Sequence, residues 1–250
     1  MRILSILVLL VLASGSAFAA GARKYAVLSL IGDVMLISQW VPSTGARLDP
    51  NQKEYIAINE GVFDKTALLA VNGTLKTLDP ESKPVLLFAR ERSLYEAQNR
   101  MLDRGGKPVE LLEHVRGLLA GTGATHLILL TKLRNEARLK MHNTTVGSGT
   151  LEGVGFYIDS SMETRSSETG ASGTGLLAPF AYFRIELIDL ARGTVVNQER
   201  IVASTSASVD NSTAQHAWNA LSGAQKIRVI QDLITRETTR AIPKLVETTP

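Results

Sequence analysis

Apolar positions along the chain follow two different periods, and the change from one to the other marks out the elements. In residues 180–204, Phe183, Ile185 and Leu187 alternate with Arg184, Glu186 and Ile188, the period of two of a strand. Ala191-Arg192-Gly193 turns the chain, and Val195, Val196, Ile201 and Val202 carry it back. This predicted hairpin needs a sheet to join and helices to cover it. Residues 24–40 hold two apolar runs joined at Gly32-Asp33, which reads as a hairpin or as one bulged strand. After a Pro/Ser/Gly/Asn-rich stretch at 42–51, residues 54–58 read as a short returning strand.

The period then lengthens. Ala67, Leu68, Val71, Leu75 and Leu78 lie three or four apart and predict a helix over 63–78, ended by Asp79-Pro80 because a residue before proline avoids helical backbone angles. Residues 84–89 form a short continuous apolar run, expected to be a strand buried on both faces. Helical composition returns over 90–102 and again over 108–120, the latter with Pro108 in its first turn. Gly121-Thr122-Gly123 closes that helix and the strand 125–133 follows, so strands and helices alternate as in an α/β layer with right-handed crossovers. From 134 to 179 the pattern weakens. Residues 159–175 are almost all Ser, Thr, Gly or charged, which offers too little apolar surface to offset the entropy of ordering. An extended polar arm ending in a mobile loop, inserted between two strands, is expected there. A last helix starts at Ser222, with Gln225 completing a capping box, and buries Ile227, Ile230, Ile234, Thr238 and Ala241 before Pro243 ends or kinks it. The expected fold class is therefore α/β: a mixed central sheet flanked by helices, with a β-arm or loop insertion and a C-terminal helix.

Composition narrows the function. Residues 1–19 have the form of a cleavable signal peptide: Arg2, an apolar run over 3–12 too short for the roughly 20 residues of a membrane span, and Ala17-Phe18-Ala19. The remainder, 20–250, is expected to be one periplasmic α/β domain with no stable membrane anchor once the signal is removed. There is no cysteine, which excludes disulfides, thiolate chemistry and cysteine zinc sites. A net charge of +3 with both signs mixed gives no footprint for nucleic acid.

Candidate chemistry is sparse, and no catalytic constellation is apparent. The four histidines, at 114, 126, 142 and 216, show no ligand spacing, so no metal and no cofactor are expected; His126, opening a buried strand, reads as a hydrogen-bonded core residue. Gly32-Asp33-Val34 lacks the nucleophile of a serine-hydrolase block and reads better as a turn, and no GxSxG occurs. Gly121-Thr122-Gly123 precedes a strand, whereas a phosphate loop follows one. Arg90 and Arg92 fall just past a strand's carboxyl end, where open α/β sheets bind ligands; with Asp33 they are the candidate ligand-binding residues, weighed against a solvated first helical turn. Trp40 and Trp218, each where an apolar run meets a polar stretch, and Phe156 and Tyr157 at the root of the arm are the candidate partner-binding residues; packing at a domain margin suits the tryptophans equally.

Three stretches carry a resemblance: ATHLILLTKL entering the region, GVGFYID in a glycine-rich arm, and FRIELIDLARGTVVNQERIVAS as strand, turn and returning strand. Residues 124–204 thereby resemble part of the curli-secretion channel family and, more distantly, the amino-terminal domain of TolB. The resemblance implies an envelope-resident α/β domain that binds partners. In that family the arm can become a membrane-crossing hairpin of an oligomeric pore on a lipid-anchored chain; here no cysteine is present to carry the lipid. The expected function is that of an exported, non-enzymatic periplasmic protein that assembles with itself or with an envelope component. Alternatives are a small-ligand binder or hydrolase with a cleft at the strand ends, and a pore-forming secretion component.

Overall fold

The computed structural model of the chain describes residues 23–42, 49, 51–58, 61–89, 91–141, 144–165, 172–208 and 217–247; the predicted signal segment lies outside them. In chain order the elements are β1 (Tyr25–Ser29), β2 (Val34–Gln39), β3 (Gln52–Ala57), α1 (Val62–Leu78), β4 (Val85–Leu87), α2 (Arg92–Asp103), α3 (Leu112–Leu119) and β5 (His126–Lys132). Then come β6 (Arg134–Glu136), β7 (Leu139–Lys140), β8 (Thr145–Val146), β9 (Thr150–Arg165), β10 (Ser172–Asp189), β11 (Thr194–Ser204), β12 (Ala207–Ser208) and α4 (Gly223–Val246).

Strand β10 organises the sheet. Along one edge it pairs β11 over 180–189, the predicted hairpin, with β12 beyond it. The opposite edge is shared end to end: residues 183–189 pair antiparallel with β5, and residues 172–182 pair antiparallel with β9. β1 runs parallel to β5 and β2 runs parallel to β9, so β1 and β2 point the same way and continue one line. Of the two readings of 24–40, the hairpin is wrong. The pair is one strand interrupted at residues 30–33, because its halves have different neighbours. β4 lies outside β1, parallel, and β3 returns along β2, antiparallel, as expected.

Successive residues of β1 and β5 point to opposite faces, which is why both read as unbroken apolar runs. Val27 and Ile128 meet α1 and α4 on one face, packed against Phe63, Leu68, Val71, Ile230, Ile234 and Ile242. Ala26, Leu28, Leu127 and Leu129 meet α2 and α3 on the other, against Leu94, Met101 and Val115. Farther along that second face, the excursion through β6–β8 folds back over Leu36, Tyr157, Phe180 and Tyr182. It is pinned by Arg138 N–H donating to Tyr182 Oη at 2.8 Å and by Lys140 N–H donating to Ser204 Oγ at 2.8 Å.

Other expectations are corrected. Residues 84–89, expected to be buried on both faces, give a three-residue edge strand with Val85 and Phe88 exposed; an apolar run does not say whether a neighbour exists on each side. The helix expected over 108–120 is a 3-10 turn, Pro108–Leu111, followed by α3. The arm 134–179 is not a wholly polar excursion with a loop from 159: β9 and β10 pair from Tyr182 opposite Gly153 to Leu176 opposite Asp159 and, past a β-bulge, from Thr174 opposite Glu163 to Ser172 opposite Arg165, while residues 166–171 of the expected loop lie outside the described residues. Cross-strand hydrogen bonds order these polar residues without apolar burial. Pro243 does not end α4, which runs through it to Val246.

The capping box is as expected: Gln225 N–H donates to Ser222 Oγ at 3.3 Å, and Ser222 N–H donates to Gln225 Oε1 at 2.8 Å. Ser222→Ala is expected to remove about 1 kcal/mol, a fall of roughly 2–4 °C in Tm read by calorimetry.

Candidate functional site

The interruption between β1 and β2 leaves backbone groups without a ladder, and side chains from both covering helices satisfy them. Asp64 sits in the first turn of α1, a position that favours a negative charge. Its Oδ1 accepts the Ser29 hydroxyl at 2.6 Å and the Ile31 N–H at 2.9 Å, and its Oδ2 accepts the Tyr95 hydroxyl of α2 at 2.7 Å. Gln98 of α2, fully buried, donates to the Leu30 carbonyl at 2.7 Å and accepts the Lys132 N–H at 2.9 Å. Gly32 permits the close approach: a Cβ there would lie 2.8 Å from Asp64 N and 3.0 Å from Phe63 Cβ. Beyond it, Lys132 Nζ lies 2.6 Å from Asp33 Oδ1 and donates to Asn99 Oδ1 at 3.2 Å. The Lys132 stem passes over Gly153, where an added Cβ would lie 3.4 Å from Lys132 Cγ and Cδ. With Lys132 buried and Asp33 mostly so, the pair offsets two desolvated charges that would be costly alone.

These groups stand at the carboxyl ends of the parallel strands β4, β1 and β5, where α/β sheets form ligand crevices. A cleft of about 570 Å³ opens there, floored by Ser29, Asp64 and Tyr95 and walled by Leu68, Leu87 and Phe88. A second hollow of about 410 Å³, with Asp33, Glu96 and Asn99, shares Gly61, Ala89 and Tyr95 with the first. Burial, opposed by the hydrogen bonds from Ser29, Tyr95 and Ile31, pushes the Asp64 carboxyl up to about 6; the charge of Asp33 adds to the rise. Burial, and then the Asp64 charge, push the Tyr95 phenol far up as well, so it remains protonated and a donor. Among the described residues no three His, Cys, Asp or Glu side chains are grouped to hold a metal ion.

Of the sequence-predicted site residues, Asp33 stands at this cleft, paired with Lys132, and Arg92 lines its second hollow. Arg92 is solvated, with Nε 3.4 Å from Glu96 Oε1 on the next helical turn, and Arg90 lies outside the described residues. The partner-contact residues are dispersed. Phe156 and Tyr157 are buried, Phe156 beneath α1 and α4 and Tyr157 beneath the β6–β8 excursion, so these rings fill the core instead of facing a partner. Trp218 is half-buried, edge-on to Phe156 at 5.5 Å between centroids, with Lys226 Nζ 4.0 Å over its ring; this is margin packing reinforced by a cation–π contact. Trp40 packs at the rim of the second face, its backbone N–H on the Ile158 carbonyl at 2.8 Å. His126 is half-buried at the sheet end, its Nδ1 2.9 Å from Thr125 Oγ1, while His142 and His216 lie outside the described residues.

Sequence reasoning missed Ser29, Asp64, Tyr95, Gln98 and Lys132. A signal was present for two of them. Asp64 falls on the stripe 64, 68, 71, 75 and Gln98 on 94, 97, 98, 101, and a polar residue on a buried stripe needs a partner.

No family model matches the sequence, and no curated protein matches it. Among solved structures, XCC0632 from Xanthomonas campestris, of family-model DUF330, is 10% identical over 88% of this chain and 81% of its own, with a TM-score of 0.37. The PelC dodecamer from Paraburkholderia phytofirmans gives 11% identity over 91% of this chain and 89% of its own, TM-score 0.30. The hypothetical protein CT253 from Chlamydia trachomatis gives 14% over 90% and 96%, TM-score 0.31. None of the three is described as a curli-secretion or TolB protein, and likenesses at these scores carry no argument about this chain's activity.

Proposed function

We propose that this chain is a non-enzymatic protein of the bacterial cell envelope, exported to the periplasm, which assembles with copies of itself or with an envelope component through the β9–β10 ribbon. The observation that carries the reading is that the ribbon outruns its sheet. The β2 partner of β9 stops at Gln39 opposite Ile158, yet β9 stays paired with β10 as far as Arg165. Among the described residues no strand lies along the outer edge of β9 past that point. Its side chains there, Asp159, Ser160, Ser161 and Glu163, are polar and mostly exposed, suited to a wet protein contact and lacking the apolar band of a membrane barrel. Asp159 Oδ1 also accepts the backbone N–H groups of Ser161 at 2.9 Å and Met162 at 3.1 Å. That blunts the edge against indiscriminate strand addition, so recognition runs through side chains.

The test replaces residues 160–175 with Asn-Gly, a two-residue hairpin between the paired Asp159 and Leu176. Of the core below only the partly buried Met162 is lost, so Tm is expected to stay within a few degrees, while light scattering changes from an oligomer for the intact chain to a monomer. Equal masses for the two chains would remove the ribbon as the working surface.

A further inference from the structure

The floor of the larger cleft has a directional chemistry that follows from its own hydrogen bonds. A hydroxyl carries one proton. Ser29 uses its proton on Asp64 Oδ1 and Tyr95 uses its own on Asp64 Oδ2, so both hydroxyl oxygens have only lone pairs left to offer. The ionised carboxylate between them carries none. Three convergent groups thus accept and do not donate, beneath walls formed by Leu68, Leu87 and the half-exposed Phe88. A carboxylate or phosphate entering there would meet lone pairs; an N–H donor would meet acceptors.

We propose that this cleft binds a small molecule carrying a primary ammonium group on a short apolar body, with the nitrogen on Tyr95 Oη and Asp64 and the body against Leu68, Leu87 and Phe88. Charge supports the choice of an ammonium over a neutral donor. Asp33 is already matched by Lys132, whereas among the described residues Asp64 has no cation within ion-pair distance. Lys65 and Arg92 are on the exposed rims and the floor is not neutralised by them. The volume, about 570 Å³, is in the range of pockets that enclose small organic ligands. The Phe88 ring at the mouth gives an aromatic face to the cation or its body. This site is independent of the ribbon and holds or fails without it.

The experiment titrates the uniformly 15N-labelled full chain at pH 8 with 2-phenylethylammonium, 2-phenylethanol and phenylacetate. The ammonium probe is expected to bind with a Kd on the order of 1 mM, as its few heavy atoms permit, and phenylacetate at least tenfold more weakly. The shifted amides should be those of residues 29–32, 61–68 and 87–95. Asp64→Asn, nearly isosteric, should weaken the ammonium probe about tenfold while leaving the alcohol within threefold. Phe88→Ala, at an exposed position that does not threaten folding, should weaken both severalfold. Equal binding of phenylacetate and the ammonium, unchanged binding in a folded Asp64→Asn chain, shifts confined to other surfaces, or no binding at 20 mM probe would each overturn the proposal.

Discussion

A Gly155→Ala chain is expected to be recovered insoluble, or to show no cooperative thermal transition, although it adds a single methyl group. Gly155 lies in the middle of β9, opposite Leu36 of β2 on one side and Phe180 of β10 on the other. A Cβ at this position would run into the carbonyl oxygen of Leu36, with the carbonyl carbon at 2.7 Å and the amide nitrogen at 2.9 Å. The obstacle is backbone in a ladder, so no rotamer change relieves it, and β2 must move away from β9. That movement breaks the parallel pairing from Met35 to Gln39 and opens the packing of Met35, Ile37, Phe156 and Ile158. Overpacking alone typically takes about 1–3 kcal/mol, and losing a central ladder with its apolar contacts adds more, which approaches the 5–15 kcal/mol that holds a domain of ordinary stability. Gly193→Ala is the control, because a Cβ there meets nothing within 4 Å and only the left-handed backbone, φ +64°, resists it. That chain should fold and unfold cooperatively, with a loss of about 1 kcal/mol. A soluble Gly155→Ala protein with a Tm within a few degrees of the parent would show that β2 and β9 are not so closely paired.

The second large effect concerns Asp64 and reverses sign with pH. Burial raises its carboxyl from 3.8 to about 6, so the fold favours the protonated form. Below about pH 4 the group is protonated folded and unfolded, and contributes nothing to pH dependence. As pH rises from about 4 to about 6 the unfolded chain ionises first, binds fewer protons than the folded one, and stability falls, by about 3 kcal/mol once both states are ionised. Asp64→Asn keeps the acceptor for Ser29 and Ile31 and cannot ionise. It should therefore be somewhat less stable than the parent at pH 4 and should overtake it by pH 7–8. Urea unfolding at pH 4, 5, 6, 7 and 8 reads the difference, which isolates Asp64 from Glu186, another carboxyl that burial pushes upward. Asp64→Ala leaves the Ile31 N–H and the Ser29 and Tyr95 hydroxyls without their acceptor and should lose about 3–5 kcal/mol relative to the parent at pH 4, a deficit that narrows by about 3 kcal/mol above pH 7 because alanine cannot ionise either. A parent and Asp64→Asn pair whose stabilities stay parallel from pH 4 to 8 would mean that Asp64 titrates as an ordinary surface acid.

Much of the fold was legible in local pattern. The turn at Gly193, the stripe of α1 and the capping box of α4 depend on neighbours fewer than five residues away, where the periods of 3.6 and 2 and the needs of unpaired N–H groups act directly. Less of the candidate site was legible. Asp33 and Arg92 were placed by topology, since strand ends collect ligand clefts, but the groups that shape the floor pair across long separations: Asp64 with Ser29, 35 residues apart, and Gln98 with Leu30, 68 apart. Polar patterning also misled. The Ser/Gly-rich stretch after Asp159 reads as a loop because it cannot bury a core, yet β10 pairs with it at Asp159 and, past a β-bulge, again over residues 163–165.

By itself the sequence determined which segments are helices and strands, where most of them start and stop, and that two layers of helix would cover an apolar sheet. These follow from side-chain period and turn chemistry, which act within a few residues. Only the tertiary structure decided that β1 and β2 are one interrupted strand, that β5 and β9 share an edge of β10, and that Phe156 and Tyr157 are core. Those outcomes depend on which backbone groups find partners far along the chain, and a gap such as residues 30–33 becomes a site only when Asp64 and Gln98 arrive from separate helices to satisfy it.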